Sequence, residues 1–231
     1  MPLATAPSSL AAPAPKTASH RTRMRLYFPV GGVLAVAVYF TFRYVLRYLS
    51  LDEATYGPYW WGRVSWLFPH VLAGMLALLL GPLQFLTALR RRYARVHRWS
   101  GRVYLASVGV GSVMAASMIT HSTFNYAYRS GLAGLAFAWV STSGLALVAI
   151  RRGNVPQHRE WMIRSYVVTF GFVIFRVVHE TLNGFGLGTF NDRIAVASWS
   201  CWAVPLLVTE LIIQGRTLLR APRRALPELP S

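Results

Sequence analysis

Six histidines and a large excess of arginine are the residues of this chain that could do chemistry, and they recur in a pattern. One segment reads Arg90-Arg91, then His97-Arg98-Trp99, then Arg102 and Tyr104. A later one reads Arg151-Arg152, then His158-Arg159, then Trp161, Arg164 and Tyr166. Both contain W-x-x-R-x-Y, and Glu160 is inserted ahead of the second tryptophan. Paired imidazoles on facing helices suit axial ligation of a b-type haem. His97 with His158, and His70 with His179, are the candidate ligands, with Arg98, Arg102 and Arg159 near the propionates. The same arginines, with Arg164 and Arg176, could instead hold a small anion or an anionic lipid headgroup. A third reading gives these clusters no bound chemistry and makes the protein a scaffold, assembly or sensory component.

The elements that must position these groups are membrane helices. Hydrophobic residues make up 54% of the chain and charged residues only 13%, about half the charge of an ordinary soluble domain. Six stretches, near 26–48, 64–89, 103–122, 131–151, 160–181 and 194–214, have the ~20 apolar residues that a hydrocarbon core demands. The expected fold class is therefore all-α, a polytopic bundle of six transmembrane helices. Residues 1–24 have no continuous apolar run before Arg25 and are expected to be a disordered tail. Residues 25–215 form the membrane domain, and 216–231 form a basic tail. A net charge of +17 spread over a soluble surface would suggest nucleic acid. Here the arginines sit in short clusters between apolar stretches, so lipid is the expected partner and nucleic acid is not. Seventeen basic residues fall on one side of the six spans and five on the other. This bias places both termini in the cytoplasm of a multi-pass inner-membrane protein. Cys201, the single cysteine, can form no internal disulfide and is expected to be a packing residue.

Polar residues inside the spans follow helical spacing. On the fifth span His158, Ser165, Thr169 and Arg176 lie within about 20° of one line. On the second, His70, Gly74, Ala77, Gly81 and Gln84 share a face on which small residues admit another helix. Glu210 in the sixth span lies at the depth of Arg164 in the fifth, which predicts an interhelical ion pair. The repeated loops suggest that spans 2–3 and 4–5 are duplicated hairpins, which would bring His97 and His158 toward one shared position.

These residues also carry a family resemblance. His70, Gly81-Pro82-Leu83-Gln84-Phe85, Arg90-Arg91-Arg92, His97-Arg98 and Gly101-Arg102-Val103-Tyr104 resemble the membrane proteins grouped as domain of unknown function 2306. His158-Arg159, Trp161 to Tyr166, Arg176 and the Trp199/Trp202 pair resemble it as well. The resemblance implies a bacterial polytopic membrane protein and brings no activity or cofactor with it. His121 and His179 lie outside the residues that carry it.

Overall fold

Hydrocarbon offers backbone amides no water, so a chain this apolar must bond its peptides within each crossing. The computed structural model describes residues 20–220, and in it the six crossings are helical. The first comprises α1 (His20–Phe40), a wider π turn (Thr41–Val45) and a tighter 3₁₀ turn (Leu46–Ser50). A short α2 (Glu53–Trp61) precedes the second crossing, α3 (Val64–Gln84). A short basic α4 (Thr87–Arg92) leads into the third, α5 (Ala94–Thr120), and α6 (Tyr126–Arg151) is the fourth. The fifth is made of α7 (Val155–Thr169) and α8 (Gly171–Gly184), and the sixth is α9 (Phe190–Arg220). Most of the 1–24 tail and of the 216–231 tail lies outside the described residues. An even number of crossings returns the chain to the end at which it began. We call this the basic end, because α4 and the start of α7 lie there, and its opposite the far end.

Several helix limits differ from expectation. α3 ends at Gln84 and not near 89, because the extended Leu86 turns the chain into α4, and α6 begins at Tyr126 and not near 131. The third helix starts at Ala94 and not near 103, because a helix keeps its hydrogen bonds through the headgroup layer. His97, Arg98 and Arg102 therefore sit on regular helix. A proline within a span, such as Pro205 of the sixth crossing, is the usual place for a break. Instead α9 runs unbroken through Pro205, and the interruption falls at Phe170 between α7 and α8. Gly171 there packs beside α9, where an added Cβ would sit in ordinary contact with the Cys201 carbonyl at 3.4 Å. The interruption also divides the expected polar stripe. Ser165 and Thr169 are fully buried, whereas Arg176 stacks on Tyr44 of the first crossing at 5.2 Å and meets Glu180 at 3.7 Å.

Helices α3 and α5 pack as one antiparallel hairpin, and α6 with α7 as the second. α9 lies against α6, α7 and α8, and α1 lies against α3. Small residues set these approaches. Gly81 faces the Tyr166 ring, Gly111 faces Trp139, Gly131 faces Ser198, and Gly134 leaves room for Trp202. Gly74 meets no neighbour, so the small-residue face of α3 is used only toward its basic end.

The centre of the bundle is a closed set of hydroxyl bonds joining α5, α6 and α7. Thr169 Oγ1 lies 2.9 Å from the Ser165 carbonyl, which can only accept, so the threonine proton is committed there. Thr169 then accepts from Trp139 Nε1 at 2.7 Å and from Tyr104 at 2.8 Å. Tyr104 in turn accepts from Ser165 at 2.7 Å, and Ser165 from Ser143 at 2.7 Å. All four hydroxyl protons have one destination each. Bonds chained in this way polarise one another in a low dielectric. The second repeat tyrosine makes the return connection, with Tyr166 donating to the Leu78 carbonyl of α3 at 3.1 Å. Each hairpin thus sends one tyrosine into the other.

Tyr104→Phe should therefore destabilise the protein by about 1–2 kcal/mol, because it leaves Thr169 and Ser165 short of a partner. Tyr166→Phe should cost about half as much, since it loses a single bond. Gly81→Ala drives a methyl into the Tyr166 ring and should cost about 1–3 kcal/mol. Unfolding in mixed detergent measures all three, and a neutral Tyr104→Phe would contradict the assigned network.

Candidate functional site at the basic end

The turn between the second pair of helices is built by local chemistry. Gly153 adopts φ +72°, a left-handed conformation that suits glycine. Asn154 then caps α7 by accepting from the Gln157 amide at 3.1 Å. His158 follows one turn into the helix, where its Nδ1 lies 2.8 Å from the Ala146 carbonyl of α6. A carbonyl only accepts, so Nδ1 carries a proton and donates this bond.

The first loop reaches the same place from α4 and α5. His97 is half-buried, and Arg90, His158 and Arg98 all lie near enough to act on it electrostatically. Arg90 in turn has Arg159 and Arg91 as close like charges. Partial burial and these two guanidinium groups lower its pKa from the ordinary arginine value, which still leaves it charged. No ion pair reaches Arg90, Arg98, Arg102 or Arg159 among the described residues. The basic end therefore gathers two imidazoles and at least three guanidinium groups that make no ion pair among the described residues, while the nearby carboxylate, Glu160, faces Arg164.

The W-x-x-R spacing produces the same local contact twice. Arg102 lies over the Trp99 ring at 5.1 Å, and Arg164 over Trp161 at 4.6 Å. Residues three apart share a helix face, so each guanidinium stacks on its own tryptophan. The two then diverge. Arg102 stays exposed at the interface, whereas Arg164 is buried. Arg164 makes the expected ion pair with Glu210, through Nη2 at 2.6 Å and Nε at 2.8 Å to the same oxygen, Oε2. The other oxygen accepts from Gln214 at 2.7 Å, and Glu160 stands 3.7 Å from Arg164 Nη1. Arg164 is thus paired with Glu210, unlike the exposed arginines of the same end. Arg90, Glu160 and the two stacked tryptophans were not singled out as site residues from sequence. Three-residue spacing within each repeat is the signal that could have found the tryptophans.

The remaining candidates lie toward the far end. His70 Nδ1 donates to the Gly111 carbonyl of α5 at 2.8 Å, and its ring meets Phe172 edge-on at 5.7 Å. His179 stacks on Phe175, with both ring nitrogens buried and unpartnered. Seven helical residues from Phe172 put His179 about 10 Å beyond the level of His70. That separation does not suit two axial ligands of one iron. At the basic end His97 Nδ1 is buried without a partner, where an axial histidine would normally donate to a carbonyl or carboxylate. Two hollows, of about 220 and 410 Å³, lie elsewhere, and neither has His97 or His158 in its walls.

Fold and site together describe a polytopic α-helical membrane protein with an uncompensated basic cluster at one end. The model of the family described as predicted membrane protein (DUF2306) matches residues 67–213, from α3 to near the end of α9, and the chain belongs to that family. No curated protein and no solved structure matches it.

Glu210→Gln should destabilise the protein by about 1–3 kcal/mol. This is less than for a fully buried pair, because Glu210 keeps part of its solvent access. Glu180→Gln, which breaks the more exposed pair with Arg176, should change stability by less than about 1 kcal/mol. Thermal unfolding of the two variants side by side checks the order.

Proposed function

We propose that this protein is a membrane sensor or assembly component, without catalytic chemistry of its own, that binds an anionic headgroup or phosphate-type anion at the basic end. The approach of the two His-Arg motifs to Arg90, with Arg90, Arg98 and Arg159 outside every ion pair of the described residues, is the observation that carries this reading. Like charges held together near low-dielectric material repel one another unless a counter-anion joins them. Arg98 and Arg159 supply exposed forks for phosphate oxygens. The charge bias along the sequence orients this end toward the cytoplasm, where the surface of a bacterial inner membrane is anionic.

Thermal unfolding of the full chain in neutral detergent, with added short-chain phosphatidylglycerol or inorganic phosphate, tests the site. At about a hundredfold excess over Kd the better ligand should raise Tm by on the order of 5 °C. Arg98→Ala with Arg159→Ala should remove most of that gain, and raised salt should weaken it. Arg216→Ala, exposed near the end of α9, should leave the gain in place. Equal stabilisation of the double variant and the native chain would overturn the paired-motif site. Stabilisation by phosphatidylglycerol alone identifies a lipid headgroup, and stabilisation by both identifies phosphate chemistry in general.

A further inference from the structure

A second site lies at the far end, away from the basic cluster, in the hollow of about 220 Å³ between α3, α5, α6 and α8. Its walls are almost wholly apolar. Trp139 and Phe172 meet edge to face at 5.6 Å, and Phe172 meets the His70 ring in the same way. Leu132, Leu135 and Met118 also line the hollow, and Trp60 of α2 lies at its rim.

Two polar atoms in this wall have no protein partner among the described residues. His70 donates through Nδ1 to Gly111, so its neutral ring presents Nε2 as a bare acceptor. Tyr128 lines the same hollow, and its hydroxyl makes no hydrogen bond. Arg129, the charged group at the rim, is already engaged. Its Nε donates to the Ile119 carbonyl at 3.0 Å, and Nη2 lies 3.5 Å from that of Thr120. It caps the end of α5 and leaves the hollow without an anion-binding character of its own. An unpaired acceptor facing apolar walls is costly unless something bonds to it. The ligand that satisfies these walls is neutral, flat and aromatic, and it carries a hydroxyl.

We infer that the far-end hollow binds a phenolic or quinol-type ring, with its O–H donated to His70 Nε2, its oxygen within reach of Tyr128, and its faces against Trp139 and Phe172. The volume suits one or two fused rings, since pockets for drug-sized ligands begin at about 300 Å³. The proposal concerns recognition only and involves no electron transfer. It is independent of the basic-end site.

Saturation binding of tritiated β-naphthol to the full chain in lipid nanodiscs tests it, with the methyl ether of β-naphthol as competitor. The ether keeps the apolar body and lacks the donor. It should bind at least about tenfold more weakly, which corresponds to one hydrogen bond to a buried acceptor. Ala136→Phe and Met118→Phe each add bulk to the lining of the hollow and leave His70 and Tyr128 in the chain. Either variant, if it elutes as a folded protein, should abolish saturable binding, and Tyr128→Phe should weaken it by about threefold to tenfold. Absence of saturable binding to the native chain would overturn the inference. So would an ether that competes as well as β-naphthol, or binding that survives a folded filled variant.

Discussion

One hydrogen-bonded tyrosine holds the two halves of this membrane bundle in register. Tyr104 leaves the first hairpin and enters the second, where it accepts from Ser165 and donates to Thr169. Within hydrocarbon there is no water to replace these bonds if the hairpins slide, so the geometry is fixed by the lack of an alternative. Tyr166 performs the reciprocal task toward α3, and the bare Cα of Gly81 gives its ring room. The W-x-x-R-x-Y repeat thus has a mechanical meaning. Its tryptophan and arginine stack at the interface, and its tyrosine reaches across.

Both candidate sites depend on this registration. At the basic end, α5 and α7 must be fixed relative to each other before His97, His158, Arg90 and Arg159 can share one region. Toward the far end, Trp139 is bonded to Thr169 in the network and also forms part of the wall of the hollow. Gly111 presses against that same indole while its carbonyl takes the His70 proton. A change at the centre would therefore be felt at both ends, through contacts that are continuous in space.

Much of this was readable in the residues, because lipid imposes so few choices. Apolar length gave the six crossings, and matching depths gave the Arg164–Glu210 pair. The positions of Ser165 and Thr169 on one face were also legible, but their partners were not. Which hydroxyl meets Tyr104 depends on how two hairpins pack, and helical spacing reports only on a single helix. The interruption at Phe170 escaped notice because no proline marks it. Gly171 follows it and packs beside the Cys201 carbonyl, a contact between distant parts of the chain. Arg176 was assigned to the interior stripe for the same reason, since a straight helix was assumed through Phe170. The depths of His70 and His179 were not legible either, because the levels of the two rings, separated by about two turns of α8, depend on how α3 and α8 pack.

The central claim is that the two repeated motifs form one place on one molecule. Cysteines introduced at His97 and His158, with buried Cys201 left intact, can be treated in native membranes with a short bifunctional thiol reagent. The account predicts an intramolecular bridge, seen as a faster-migrating monomer that forms in high yield and is lost when either cysteine is omitted. Bridging only between separate chains, or no bridging while both thiols remain reactive to a monofunctional reagent, would contradict it.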